Sequence, residues 1–251
     1  MQERRLSRPH TRQPIAAVPS HPLNLVSGDH PAWPDPPLPV VETFHSLQGE
    51  GIHAGRSAFF IRLAGCTVGC PWCDTKHSWS AGSHPIQSLN ELAQAAASAA
   101  AAGAAFVVVT GGEPLHHELE PLGEALRAAT ASADQPAGLP IHLETSGVDA
   151  LSGRFDWITL SPKRHRPPQQ QVLAACHELK VVVGDKDDLA FAEAMALAAI
   201  EAGRPDSVSP PILLLQPLWD SPVGQELAIA HVRQNRRWRL SLQSHKWLGV
   251  R

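Results

Sequence analysis

The short loop 66–73 holds three of the four cysteines of the chain, Cys66, Cys70 and Cys73, at the spacing C-x3-C-x2-C. Three thiolates brought together by one loop suit a soft metal. A 4Fe–4S cluster normally takes four cysteines, so three would leave one iron without a protein ligand. The loop therefore predicts a metal centre with a coordination position open to a reacting molecule.

Two other uses of these cysteines have to be weighed. His77 follows Cys73 by four residues, so Cys66, Cys70, Cys73 and His77 could form a Cys3His zinc site. A disulfide is disfavoured, because the local cluster is odd in number and no signal peptide precedes it. On the loop alone, the iron–sulfur and zinc readings both stay open.

Composition narrows the class of protein. The 251 residues are enough for one sizeable core, and the net charge is −3 with no run of lysine or arginine. Direct binding of nucleic acid is therefore not expected. No apolar stretch approaches the roughly 20 residues of a membrane span, and no apolar segment follows the arginines of the N-terminus. We expect a cytoplasmic protein that does not enter a membrane.

The first part of the chain differs in composition from the rest. Residues 1–38 are rich in proline and polar residues and show neither a helical nor a strand period. We predict a disordered N-terminal extension over 1–38 and a folded domain over 39–251.

The folded part opens with two strand-like runs, 40–44 and 57–63, joined through Gln48–Gly51. After the cysteine loop, Ser88 and Glu91 form a predicted capping box for an alanine-rich helix that ends at Gly103. Strands and helices then alternate. The predicted strands are 106–110, 141–144, 157–160, 179–183, 212–216 and 239–243, and the predicted helices lie near 118–130, 186–202 and 223–235.

This alternation of short apolar strands with helices indicates an α/β fold with a parallel sheet. The link between 144 and 157 is too short for a proper helix, so helices are fewer than strands. With about seven strands, we expect a partial (β/α) barrel.

Polar signatures follow most of the predicted strands, at 110–114, 144–147, 161–163, 216–217 and 243–246. Any one of them is ordinary turn chemistry. Because the carboxyl ends of parallel strands meet at one face and carry the active site in such folds, their recurrence predicts one common site.

Two of these motifs resemble those of a known superfamily. The aromatic Trp72 before Cys73, and Gly111-Gly112-Glu113-Pro114 one strand later, resemble the cluster loop and the GGEP motif of radical S-adenosylmethionine (SAM) enzymes. The runs 42–51, 60–66 and 72–75 resemble more narrowly the 7-carboxy-7-deazaguanine synthase family, over a match from about residue 39 to the C-terminus. The resemblance implies a radical SAM partial barrel.

The resemblance also implies a reaction. Members convert 6-carboxy-5,6,7,8-tetrahydropterin to 7-carboxy-7-deazaguanine with loss of ammonia, on the route to queuosine and related 7-deazapurines. They use a 4Fe–4S cluster, SAM and Mg2+, and the open iron chelates the methionine part of SAM. An electron donor such as flavodoxin or ferredoxin, and a homodimer, are implied in the same way.

Site residues carried over from the resemblance fall into four groups. Cys66, Cys70 and Cys73 would hold the cluster, and Thr75 would lie beside Mg2+. The positions expected to bind SAM are Trp72, Asp74, Gly111, Gly112, Glu113, Glu144, Ser161, Lys163 and Gln216. The positions expected to bind the substrate are Leu47, Gln48, Gly49, Glu50, Arg62, Thr110, His245 and Arg251.

Chemistry supports some of these assignments. The carboxylate of Glu50 is a natural acceptor for the adjacent N–H and NH2 donors of a pterin-like edge. The planar fork of Arg62 suits the substrate carboxylate. The carboxylate of Arg251 is expected near the site, whereas Cys176, His116 and His117 receive no role, the two histidines as solvent-facing residues.

Two rival functions remain at this point. A glycyl-radical activase would share the cluster loop and the partial barrel but act on a protein backbone, which leaves the 47–50 segment and Arg62 without a purpose. A zinc-stabilised binding domain without catalysis would leave the polar strand ends unexplained.

Overall fold

A mixed sheet organises the computed structural model, which describes residues 37–203 and 209–251. Its strands in these ranges are β1 Leu38–Leu47, β2 Ser57–Leu63, β3 Ile86–Gln87, β4 Val107–Gly111, β5 Ile141–Thr145, β6 Trp157–Leu160, β7 Glu178–Val183, β8 Ile212–Pro217 and β9 Trp238–Leu240. The α-helices are α1 Leu89–Ala101, α2 Glu120–Thr130, α3 Gln170–Ala175, α4 Lys186–Ala202, α5 Pro222–Gln234 and α6 Ser244–Leu248.

The strand order is β3-β1-β2-β4-β5-β6-β7-β8-β9. From β2 to β9 each neighbouring pair is parallel, whereas β1 pairs antiparallel with both β2 and β3. With six α-helices against nine strands in the described ranges, the predicted α/β partial barrel with fewer helices than strands is confirmed.

Side chains alternate between the two faces of the strands, as the period of two requires. On β5, Ile141 and Leu143 belong to the main apolar core shared with the helices. His142 and Glu144 lie on the other face, where His142 stacks on Phe106 and Glu144 meets Gln48. On β5 the polar side chains thus lie on the face turned away from the main core.

Local signals set several helix ends. Ser88 accepts a hydrogen bond from the Glu91 N–H while the Glu91 carboxylate accepts one from the Ser88 N–H, so the predicted capping box opens α1. Asp185 and Asp188 form an equivalent box at the start of α4.

Three expectations need correction. The sheet has nine described strands rather than about seven: the eight runs predicted one by one are all present, and the two-residue β3 was not predicted. Strand β1 is also longer than predicted, since it runs from Leu38 to Leu47. The strand predicted for 239–243 ends at Leu240, since the side chains of Ser241 and Gln243 turn inward to Gln216 and Glu50. The short helices α3 and α6 were also not predicted.

One prediction about the connections is confirmed and one about the N-terminus is untested. No helix occurs between β5 and β6, as predicted. The N-terminal extension predicted for 1–38 lies, up to residue 36, outside the described residues and stays a prediction. Across 37–203 and 209–251, none of the helices is long and apolar enough to cross a membrane.

Candidate active site

The carboxyl ends of the parallel strands border a cavity of about 470 Å³. A smaller cavity of about 230 Å³ adjoins it and shares Glu50, Asp74, Thr110, Gly111, Glu144 and Gln243 with it. The larger cavity is lined by Cys66, Cys70, Trp72, Cys73, Gly112, Glu113, Ser161, Lys163 and Gln216. The smaller one is lined by Leu47, Gln48, Gly49, Arg62, Thr75, His245 and Arg251. The structure therefore brings together every residue that the sequence assigned to the site.

The cysteine loop forms one wall of the larger cavity. Cys70 is buried, Cys66 and Cys73 are half-buried, and all three pack around Val68 and Val148. The loop is anchored through its backbone, since the N–H of Cys66 donates to the carbonyl oxygen of Trp79 at 3.0 Å. Burial raises the pKa of the Cys66 and Cys70 thiols. A bound metal would supply the positive charge that favours the thiolate form.

These donors fit a multi-iron cluster. Cys66, Cys70 and Cys73 line one cavity, while Cys176 is buried in the main core. A cluster spreads its thiolates over different irons, so they need not converge on a single point. In the part of the chain that the structure describes, no three His, Cys, Asp or Glu side chains are grouped to hold one metal ion. His77, the fourth ligand of the zinc alternative, is exposed.

Gly111, the last residue of β4, packs against the end of β2, and Gly112, which follows it, packs against the start of the cysteine loop. Gly111 has φ +146°, and a Cβ there would lie 2.1 Å from the carbonyl oxygen of Leu63. A Cβ on Gly112 would lie 2.4 Å from the carbonyl oxygen of Gly65 and 2.8 Å from the Cβ of Cys66. Gly111 and Gly112 were expected to bind SAM. Within the chain itself, they are also required for the close approach of two backbone segments.

The carboxylate of Glu113 is hydrogen-bonded to other groups of the protein. Its buried carboxylate accepts hydrogen bonds from the hydroxyl of Thr145, from the N–H (2.8 Å) and hydroxyl of Ser146, and from the N–H of Leu115 at 3.1 Å. The side chain thereby joins the end of β4 to the end of β5. Its expected contact with SAM remains a prediction.

A second wall of the site is made by the β1–β2 connection. Nε2 of Gln48 donates to Glu144 Oε1 at 2.9 Å, and Thr110 Oγ1 donates to Glu144 Oε2 at 3.1 Å. Oε1 of Gln48 accepts from the N–H of Glu50 at 3.0 Å. The side chain of Gln48 therefore fixes the backbone that presents Glu50 to both cavities.

Lys180 pairs with Glu50, a contact that sequence reasoning missed. Lys180 Nζ contacts Glu50 Oε2, and Gln243 Nε2 donates to Glu50 Oε1 at 2.8 Å. Burial alone raises the pKa of Glu50, but the charge of Lys180 and the hydrogen bonds from Lys180 and Gln243 outweigh it and lower that pKa to about 2. A lysine between apolar residues in the predicted strand 179–183 was the signal that could have revealed the pair.

The rim of the smaller cavity carries charge. Arg62 Nε donates to Glu42 Oε1 at 3.1 Å, and Arg251 Nη1 donates to Glu42 Oε2 at 2.7 Å. Glu42 therefore holds both arginines at one edge. At Gly49, a Cβ would lie 2.1 Å from His245 Nδ1, so only glycine allows this approach of His245.

Two further pairs border the larger cavity. Lys246 Nζ donates to Asp74 Oδ2 at 2.6 Å, which ties α6 to the cysteine loop. Lys163 Nζ donates to Ser161 Oγ at 2.8 Å, and burial is the main cause that lowers the pKa of Lys163.

His116 and His117 were predicted to face solvent, and this was wrong. Both are half-buried, and His116 Nε2 accepts from the N–H of Thr67 at 3.0 Å while its Nδ1 contacts Asp149. His117 Nε2 lies 2.8 Å from the carbonyl oxygen of Ala64. The two side chains support the cysteine loop from outside.

The fold and the arrangement of residues around the two cavities define the class of enzyme. The profile of the radical SAM superfamily matches residues 60–163, which include the cysteine loop and the GGEP motif. The chain is a radical SAM enzyme, and its superfamily implies a 4Fe–4S cluster and SAM as cofactors.

Comparison with curated proteins narrows the class. The chain is 52% identical to a 7-carboxy-7-deazaguanine synthase of Prochlorococcus marinus, over 85% of this chain and 98% of that one. It is 47% identical to one from Synechocystis, over 85% of this chain and 93% of that one. The crystal structure of QueE from Escherichia coli matches with a TM-score of 0.67 and 32% identity, over 83% of this chain and 95% of that one.

The chain belongs to the 7-carboxy-7-deazaguanine synthase family. The zinc-stabilised binding domain and the glycyl-radical activase are thereby ruled out.

Proposed function

We propose that this enzyme converts 6-carboxy-5,6,7,8-tetrahydropterin to 7-carboxy-7-deazaguanine and ammonia, with a 4Fe–4S cluster, SAM and Mg2+. The observation that carries the proposal is the pair of adjoining cavities, with the cysteines facing the larger and Glu50 and Arg62 facing the smaller. In such an arrangement a radical source would lie beside a polar binding site. The reaction consumes no net oxidant or reductant, because the pterin equals the product plus ammonia in atoms and electrons.

The cluster and SAM, when bound, supply the radical that removes a hydrogen atom from the substrate carbon bearing the carboxylate. The task of the protein is then orientation and exclusion of competing reactions. Cys66, Cys70 and Cys73 would hold three irons. The SAM-facing positions would be Trp72, Asp74, Gly111, Gly112, Glu113, Glu144, Ser161, Lys163 and Gln216.

Substrate binding is assigned to the smaller cavity. Glu50 would accept hydrogen bonds from the N–H and NH2 groups of the pterin edge, and Gln48 supports the segment that presents it. Arg62 would pair with the substrate carboxylate while Glu42 holds its Nε. Leu47, Gly49, Thr110, His245 and Arg251 complete the lining.

Mg2+ is proposed beside Thr75. Thr75 lines the smaller cavity next to the cysteine loop, with its Oγ1 3.5 Å from Cys73 Sγ. Mg2+ keeps several waters and takes few protein ligands, so one hydroxyl together with substrate oxygens is a reasonable site. The physiological setting is proposed on family grounds: the cytoplasm, a homodimer, and flavodoxin or ferredoxin as electron donor.

An anaerobic assay tests the reaction. Reconstituted protein, reductant, SAM, Mg2+ and the pterin are incubated and analysed by mass spectrometry, and the expected product is 7-carboxy-7-deazaguanine with ammonia. Cleavage of SAM with an unchanged pterin would show that the substrate is misassigned.

Variants test the assignment of the cysteines. Cys70→Ala should lose iron and SAM cleavage together, whereas Cys176→Ala should keep both because Cys176 lies in the main core. Equal iron content in the two variants would contradict the assignment of the cysteine loop to the cluster.

A further inference from the structure

We propose that Lys180 is a positioning residue for this reaction, which holds Glu50 as an ionised, fixed acceptor for the donor edge of the pterin. The inference rests on the proposed function, because it needs Glu50 to bind that edge. Lys180 was assigned no role from the sequence.

The geometry fixes Glu50 before any substrate binds. The side chain of Lys180 is only 5% exposed and that of Glu50 18% exposed. One carboxylate oxygen of Glu50 contacts Lys180 Nζ and the other accepts from Gln243 at 2.8 Å. Since each oxygen has its own donor and Gln48 holds the backbone N–H at 3.0 Å, the plane of the carboxylate is set by the protein.

Lys180 is the positive counter-charge for three carboxylates, those of Glu50, Glu144 and Glu178. Glu50, Glu144, Lys163 and Lys180 line the same cavity. The charges of Glu144 and Glu178 act on Lys180, and Lys163 interacts electrostatically with both Lys180 and Glu50. Burial alone lowers the pKa of Lys180, but the three carboxylates outweigh burial and raise that pKa above its ordinary value. Without Lys180, three carboxylates would share this region with Lys163 as the nearby cation, so the pKa of Glu50 would rise.

Ionisation matters because of the hydrogen-bond pattern of the substrate. The pterin edge presents an N–H and an NH2 group, and both are donors. An ionised carboxylate accepts from both, whereas a protonated carboxyl carries a donor of its own. Lys180, which also lines the larger cavity, would therefore act on substrate affinity through Glu50.

A pH profile of steady-state kinetics tests this role, with Lys180→Met compared to Lys180→Arg. In Lys180→Met we expect kcat/KM at neutral pH to fall roughly 10–100-fold, mostly through KM, and to recover as rising pH ionises Glu50. Lys180→Arg keeps the charge and should restore a profile parallel to that of the wild type. The iron content of all three proteins, and their SAM cleavage without substrate, show that the cluster site is intact.

A double-variant comparison separates this role from a purely structural one. In a Glu50→Gln background, Lys180→Met should cost little further kcat/KM, because its effect passes through the Glu50 charge. Titration of the Glu50 carboxyl by 13C NMR, assigned with Glu50→Gln, should show a higher pKa in substrate-free Lys180→Met than in wild type.

The contrary results are distinct. An unchanged kcat/KM in Lys180→Met, a loss of the same size at every pH, or full additivity with Glu50→Gln would overturn the role of Lys180. A wild-type enzyme that leaves the pterin unchanged would overturn the proposed function itself.

Discussion

His142 makes the stability of the fold depend on pH in a way that one substitution can isolate. This residue lies on β5, two positions before Glu144, and is 7% exposed. Its ring stacks on Phe106 with 4.2 Å between centroids and packs near His53 and Trp157. Burial first, and then the charges of His53, Arg56 and His177, lower its pKa from 6.5 to about 3, although Asp156 opposes the shift.

The sign and size of the effect follow from linkage. As pH falls below 6.5, His142 binds a proton in the unfolded chain but stays neutral in the folded protein. The free energy of unfolding therefore decreases. The stabilisation is complete above pH 6.5 and is lost as pH falls toward the folded-state value. At about pH 5 the loss from this one group is about 2 kcal/mol, from 1.36 kcal/mol per pKa unit.

His142→Phe keeps an aromatic ring against Phe106 and removes the titration. Urea unfolding of wild type and variant, in the same state of cluster loading, should be followed at about pH 7.5 and about pH 5. The variant should lose about 2 kcal/mol less than the wild type between the two conditions. This difference cancels the histidines that do not interact with His142, whereas His53, which packs against it, contributes to the coupled change. An equal loss in both proteins would refute the neutral buried state of His142.

Two further predictions concern the join between β4 and its neighbours. Gly112→Ala should destabilise the protein by about 1–3 kcal/mol and lower its iron content, because a Cβ would meet Gly65 and Cys66. Gly82→Ala is the control with nothing within 4 Å of the added Cβ, and similar losses in both variants by urea unfolding and iron assay would contradict the packing argument. Glu113→Gln should cost about 1–3 kcal/mol, since one amide oxygen replaces two acceptors for buried donors. A change in SAM affinity at unchanged unfolding free energy would instead assign Glu113 to the cofactor.

Local sequence signals predicted the parts of the fold that are set by neighbours in the chain. The capping residues Ser88 and Glu91 marked the start of α1, and the range 186–202 was predicted as the helix that the structure shows as α4. The cysteine spacing and the two glycines located the larger cavity for the same reason, since both motifs are continuous in sequence.

The features of the site that the sequence did not predict depend on contacts between residues far apart in the chain. Lys180 and Glu50 are 130 positions apart, and Glu50 and Gln243 are 193 apart. No periodicity records such a pair, so the sequence placed Glu50 in the site without its partner. His116 escaped prediction because its acceptor role depends on Thr67, 49 positions away.

The β1–β2 connection has a consequence for how the protein is made. The N–H of Gly51 donates to Ser241 Oγ at 3.0 Å, and the N–H of Ser244 donates to the carbonyl oxygen of Gly49 at 2.9 Å. Domains fold as units during synthesis, and contacts of large sequence separation form late. On the ribosome the cysteine loop is therefore complete long before the smaller cavity can close around Glu50. A nascent chain stalled ahead of residue 241 would carry its cluster ligands without a finished substrate site.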